Sequence, residues 1–146
     1  MADLISNLAD QNYTGFLSGS AVAETRIINL DVGVDNLADD AKWRFLRVPA
    51  NTIILSAHIE VSDLDSGGSP ALTLDLEAED VDGGNTTTLL NNSTAGQAGG
   101  SDSADTALPL FGLAKDFYIQ ARVETVPATA AAGTAKLVVQ YIRDNS

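Results

Sequence analysis

The chain of 146 residues contains no cysteine and only one histidine. The lack of cysteine excludes disulfides, thiolate zinc sites and thiol catalysis, and a single histidine excludes histidine-rich metal sites. Bases are also scarce, because 8 Lys and Arg stand against 20 Asp and Glu, which gives a formal net charge of -12 at pH 7. Nucleic acids and anionic membranes repel such a chain, so we expect neither as a partner. No apolar run is long enough for a transmembrane helix.

Aromatic residues make up only 5% of the chain, whereas 45% of all residues are hydrophobic. Catalytic clefts for sugars are lined with aromatic side chains, so this composition argues against a glycosidase, and we expect no enzymatic activity. The length fits one domain with one core, in which we place the single tryptophan, Trp43. An acid, Asp3, stands where a secretory signal peptide carries positive charge, so we expect synthesis in the cytoplasm.

Seven segments are predicted to form β-strands, because apolar and polar residues alternate in them and Gly- or Pro-containing turns separate them. They are residues 25–31, 42–48, 52–61, 72–79, 86–90, 117–124 and 134–142. Short strands of this kind are typical of an antiparallel β-sandwich. A long polar segment, 91–106, is predicted to be a surface loop, which favours jelly-roll or Greek-key connections. We therefore predict an all-β sandwich domain over residues 23–146.

Residues 1–22 follow neither the strand period nor the helix period, and we predict that they form an extended N-terminal arm. An arm with apolar side chains docks on its own domain or on a neighbour. Six apolar residues of the arm are the candidates for that contact. They are Leu4, Ile5, Leu8, Tyr13, Phe16 and Leu17.

Acidic residues are concentrated in the middle of the chain, since residues 51–100 contain eight Asp and Glu and no Lys or Arg. This distribution predicts one strongly acidic side or end of the domain. Such a surface serves solubility, or it binds a cation or a basic partner.

Two clusters of polar residues resemble catalytic or metal sites in composition. Ser56, His58 and Glu60 share one face of a predicted strand, about 7 Å apart, which is too far for direct hydrogen bonds, so we interpret them as a polar outer face. Residues 80–85 begin like a calcium loop but lack the later ligands of an EF-hand. They are predicted to be a tight hairpin.

A calcium site is the alternative at that hairpin. It would use Asp80 and Asp82 together with Asp63 or Asp65 from a nearby turn. A calcium-dependent adhesin domain would follow from such a site.

The order of several motifs resembles a known family. A strand, Pro49 and Ala50, and a second apolar strand follow one another over residues 45–55. The likeness continues through residues 72–76, the turn at 80–83 and the closing segment 131–141. Together they resemble the small β-sandwich capsid auxiliary proteins of tailed phages, the cement or decoration proteins, several of which are jelly-roll trimers on the outside of the head.

The resemblance implies a structural virion protein that binds the major capsid protein on the assembled head, with no catalytic residue and no cofactor. It implies a homo-oligomer, most simply a trimer, and Val138 and Ile142 are expected at the protomer interface because the second face of the last strand is half apolar. The arm would bind a neighbour on the capsid. The alternative is a tail-fibre or lectin-like module that binds receptor glycans through the loop at 91–106.

Overall fold

The computed structural model describes residues 23–104 and 113–142, and these residues form eight β-strands. The strands are β1 (Ala23–Val32), β2 (Lys42–Val48), β3 (Ile53–Val61), β4 (Thr73–Asp80), β5 (Thr86–Ser93), β6 (Gly100–Ser103), β7 (Phe117–Thr125) and β8 (Gly133–Ile142). Two short 3-10 helices, Val34–Leu37 and Ala95–Gln97, lie in connections. Within the described ranges no helix is both long and apolar enough to span a membrane.

The strands form two four-stranded antiparallel sheets. The first sheet has the order β1-β8-β3-β6 and the second sheet has the order β2-β7-β4-β5. Apart from the β4–β5 hairpin, each successive strand crosses from one sheet to the other. This interleaved order of eight strands is that of a jelly roll. The predicted all-β antiparallel sandwich is therefore confirmed.

The core lies between the two sheets because the strand alternation directs the large aliphatic side chains inward. In the second sheet, Leu74 pairs with Val123 and Leu76 pairs with Ala121 on the inner face, and all four are buried. Burial of each leucine contributes roughly 2 kcal/mol relative to an exposed position. Trp43 is buried as predicted, and its indole N–H donates a hydrogen bond to a backbone carbonyl on the first 3-10 helix.

The predicted loop at 91–106 is wrong in part. Strand β5 continues to Ser93, and β6 pairs with β3 from His58↔Ser103 to Val61↔Gly100. The side chains of β6 are small or polar, so its sequence Gly-Ser-Asp-Ser shows no alternation. An edge strand is held by backbone hydrogen bonds, which carry no side-chain signal.

The alternation predicted for residues 52–61 also fails at one point. A register shift between Ile54 and Ser56 leaves Leu55 and Ser56 both exposed, whereas Ile54 is buried. The extra residue of a β-bulge moves every side chain before it to the opposite face. Ile53 and Leu55, which strict alternation would place on the same side as Ala57 and Ile59, are therefore on the outer face.

One buried carboxylate fixes the end of the sandwich where the β3–β4 and β7–β8 connections meet. Asp65 Oδ2 accepts hydrogen bonds from the backbone N–H groups of Ala71 (2.6 Å), Leu72 (3.0 Å) and Ala128 (3.0 Å). Its Oδ1 accepts one from Thr129 N (2.8 Å). Burial on its own would raise the pKa of Asp65, but these donors outweigh it and hold that pKa well below its usual range. The ionised carboxylate thus ties the two connections together.

We expect Asp65→Asn to lower Tm by roughly 5–10 °C at neutral pH, because the amide NH₂ must face a backbone donor and leaves it unpaired. The pKa of Asp65 is lower in the folded state than its ordinary value of 3.8. Its stabilisation is therefore complete above that pH and is lost as the pH falls toward the folded pKa. Thermal melts from pH 7 to pH 2 should show the gap between wild type and variant closing in acid.

Asp63→Asn is the matched control, because exposed Asp63 accepts a single backbone hydrogen bond, from Asp65 N. Its Tm should change by a few degrees at most. Equal losses in both variants would contradict the role given to Asp65.

Candidate functional site

The two outer faces of the sandwich differ in chemistry. Asp75, Glu77 and Glu79 of β4 point away from the core of the second sheet, yet each is less than 9% exposed. By register they lie beside Arg122, Gln120 and Tyr118 of β7. We call this outer surface of the second sheet, with Lys42 and Arg44 of β2, the charged face.

Arg122 is the centre of the charged face. Its Nε lies 2.9 Å from Glu77 Oε2, and its Nη2 lies 2.8 Å from Asp75 Oδ2 and 2.6 Å from Glu124 Oε1. Its Nη1 lies 2.9 Å from Asp40 Oδ1. The hydrogen bond to Glu77 raises the pKa of Arg122 above its ordinary value, and burial, which acts in the opposite direction, does not reverse this. One guanidinium therefore forms ion pairs with four carboxylates.

Glu79 closes the network on the side of β2. Its carboxylate accepts hydrogen bonds from Gln120 Nε2 (3.1 Å), Lys42 Nζ (3.0 Å) and Arg44 Nη2 (3.4 Å). Burial alone would raise the pKa of Glu79, but these donors lower it overall. The Arg44 guanidinium also lies 4.5 Å from the centre of the Tyr118 ring, at a distance typical of cation–π contacts.

Five of the eight acids in residues 51–100 are paired with bases. Acids of the middle third pair with bases of the flanking thirds, as in the network around Arg122 and in the pairs Lys115–Asp82 and Lys136–Glu60. The reason is topological, because neighbouring strands in a jelly roll come from distant parts of the chain.

The outer face of the first sheet carries an apolar patch at one end. The patch consists of Ile27 of β1, Ile53 and Leu55 of β3, and Val138 and Ile142 of β8. Ile27 pairs with Val138, and Ile53 pairs with Ile142. Ile27 is 61% exposed and Leu55 is 37% exposed. We call these five residues the apolar patch.

Val138 and Ile142, the predicted interface residues, both lie in this patch and are half-buried. The sequence reasoning missed Ile27, Ile53 and Leu55. The strand register shows that Ile27 is next to Val138, and the bulge in β3 places the other two outward. On β1 the signal in the sequence was the adjacent pair Ile27 and Ile28, which places one large apolar residue on each face of the strand.

The opposite end of the same face is polar. Lys136 Nζ lies 2.6 Å from Glu60 Oε1, and the Lys136 ammonium holds the pKa of Glu60 below its usual range. His58 Nδ1 is 2.9 Å from Ser103 Oγ on β6. Ser56, His58 and Glu60 thus all lie on the outer face, as the sequence predicts. His58 is beside Val138 and Ser56 is beside Gln140, so these two lie within the rows of the apolar patch and only Glu60 lies at the polar end.

The acids of the calcium alternative have other partners. The segment 80–85 is a hairpin turn in which Gly83 has φ +77 and donates to the Asp80 carbonyl. Asp82 pairs with Lys115, and the Asp65 carboxylate is occupied by backbone donors. Among the described residues, no group of three or more His, Cys, Asp or Glu is placed to hold a metal ion. The arm candidates Leu4, Ile5, Leu8, Tyr13, Phe16 and Leu17 lie outside the described residues.

Comparison with solved structures relates this fold to phage capsids. A chain in the capsid of Ralstonia phage GP4 superimposes with a TM-score of 0.71 and 27% sequence identity, over 86% of this chain and 86% of that chain. A chain in the capsid asymmetric unit of cyanophage Pam1 superimposes with a TM-score of 0.73 and 23% identity, over 97% of this chain and 94% of that chain. No protein-family model matches the chain, and no curated protein matches it.

The likeness to the cyanophage chain establishes the fold. The likeness to the Ralstonia phage chain, with its higher identity, supports a structural role in a phage capsid and a place in the virion. Coverage is equal in both directions, so the matched capsid chain has about the same length as this one. The match thus extends along most of both chains.

We expect Arg122→Met to lower the free energy of unfolding by about 3 kcal/mol, because it leaves the buried carboxylates of Asp75 and Glu77 without their cation. Urea unfolding at neutral pH measures this change. Arg47→Met is the matched control on the same sheet, since Arg47 pairs with Asp116 in solvent and should contribute less than about 1 kcal/mol. Similar losses for both variants would show that the charged face is no more than a set of surface ion pairs.

Proposed function

We propose that this protein is a capsid cement or decoration protein, which binds the outside of the assembled phage head where major capsid proteins meet and stabilises the shell. The observation that carries the proposal is the likeness, along most of the chain, to a capsid chain of the same length. The resemblance of motifs over residues 45–55, 72–76, 80–83 and 131–141 agrees with it.

The chemistry of the sandwich is consistent with a structural role for the protein. The buried acids Asp75, Glu77 and Asp65 are engaged in ion pairs or backbone hydrogen bonds. In the part of the chain that the structure describes, no group of three or more His, Cys, Asp or Glu is placed to hold a metal ion. The internal network around Arg122 makes a rigid, polar outer face. A cement protein acts through many weak contacts at once, so it needs a stable scaffold more than a deep binding site.

The protein acts as a homo-oligomer, most simply a trimer, in this proposal. Val138 and Ile142 lie at the protomer interface, where association removes apolar side chains from water. The arm, residues 1–22, grips a neighbour on the capsid through Leu4, Ile5, Leu8, Tyr13, Phe16 and Leu17. A closed ring of protomers presents several arms together, which multiplies the strength of each contact.

The copy number of this chain relative to the major capsid protein, measured in purified virions, tests the proposal. Hundreds of copies per particle in a simple ratio to the shell protein are expected. A dozen or fewer would contradict a cement role and favour the tail-fibre or lectin-like receptor-binding module.

Deletion of residues 1–22 should weaken binding to assembled heads by about 100-fold or more, because the multivalent contact is lost. The sandwich begins at β1 and should keep its β-type circular dichroism spectrum and its cooperative unfolding. Co-sedimentation with heads that lack the protein measures binding. Undiminished binding of the folded, truncated protein would contradict the role proposed for the arm.

A further inference from the structure

The apolar patch is the part of the two outer sheet faces where large aliphatic side chains are left uncovered. On the charged face, buried acids are covered by the long side chains of Arg122, Arg44 and Lys42. In the patch, Ile27 is 61% exposed although it lies in the middle of a ten-residue strand. Exposed aliphatic groups clustered on a sheet face mark a contact surface.

The N-terminal segment, residues 1–22, joins the first sheet at the end where the apolar patch lies. Ala23 pairs with Ile142, and Ile142 pairs with Ile53, so these three residues form the last row of the first sheet. The 22 residues that precede Ala23 can extend roughly 70 Å. The four strands of a sheet span only about 15–20 Å. The arm is therefore long enough to reach across another protomer.

The arm has the composition that fits the patch. It carries the six apolar candidates named above, two acids and no base. The polar groups within the patch are Thr25, Gln140 and Ser56, whose row separates its two halves, and His58, which lies beside Val138. None of them is a carboxylate. An acidic arm is thus not repelled there, and its apolar side chains find a surface of matching chemistry.

We infer that the apolar patch of each protomer is the binding site for the N-terminal arm, residues 1–22, of a neighbouring copy of this chain. The direction of β1 favours a neighbour over the same chain, because continuing from Ala23 along the strand carries the arm off the end of its own sheet. To reach the patch of its own chain, the arm would have to reverse direction directly before Ala23. Arms passed from each protomer to the next generate a closed ring, the heterologous arrangement of a cyclic oligomer.

The absence of cysteine from the chain allows a specific cross-linking test. Two differently tagged chains, one with Ile27→Cys and one with Phe16→Cys, are co-expressed, purified through both tags and treated with a short bismaleimide. The control replaces Ile27→Cys by Val126→Cys. Val126 is 43% exposed and follows β7, at the opposite end of β8 from Ile142.

The expected result is a cross-link between the two tagged chains that forms at least ten times faster with Ile27→Cys than with Val126→Cys. Equal cross-linking rates for Ile27→Cys and Val126→Cys would overturn the inference that the arm binds the apolar patch. A cross-link confined to single chains carrying both Phe16→Cys and Ile27→Cys would overturn the neighbouring copy and assign the patch to the chain's own arm. Cross-linking of Ile27→Cys chains without any Phe16→Cys would overturn the arm as occupant, because two patches would then face each other.

A second measurement does not depend on the chosen arm position. Ile27→Asp changes an exposed side chain, so the sandwich should fold, and light scattering should show the oligomer reduced to monomers. Ser101→Asp, at an exposed position on β6 at the polar end of the same face, should keep the oligomer. An unchanged oligomer in Ile27→Asp would overturn the inference.

The inference rests on the arm role in the proposed function, but both tests use purified protein without capsids. A failed cross-link together with a high copy number in virions would leave the cement role standing. A successful cross-link with low copy number would leave the arm exchange standing.

Discussion

The antiparallel pairing of β4 with β7 is the contact on which most of the molecule depends. On its inner side it sets Leu74 against Val123 and Leu76 against Ala121, which builds the centre of the core. On its outer side the same register sets Asp75 and Glu77 against Arg122 and Gln120. Because side chains alternate across a strand, a slip by one residue would expose the leucines and bury the carboxylates. The charged face thus also specifies the register of the core.

The two outer faces differ in what their association with another chain would cost. The charged face is covered by its own long side chains, and its carboxylates are satisfied within the protomer. Association through that face would have to disturb buried ion pairs, which is costly. The apolar patch gains from being covered, because its aliphatic groups are in contact with water. In our proposal the protein assembles through the first sheet, which leaves the ion pairs of the second sheet undisturbed.

The connections at the end of the sandwich opposite the patch depend on a different interaction. The carboxylate of Asp65 gathers backbone donors from two connections that are more than 50 residues apart in sequence. Nothing in the local sequence distinguishes Asp65 from Asp63, which was an equal candidate for a calcium ligand. Only burial and the approach of the β7–β8 connection decide that Asp65 is a structural anchor.

The sequence by itself determined the β-sandwich, since alternation over segments such as 72–79 and 117–124 has a physical cause that is local to each strand. It also determined the core position of Trp43 and the hairpin at 80–85. Tertiary structure alone decided which strands are neighbours, and with that the pairing of the central acids with distant bases, the strand β6 and the bulge that turns Leu55 outward. These features arise from backbone pairing between distant segments, which leaves no periodic signal in the amino-acid order.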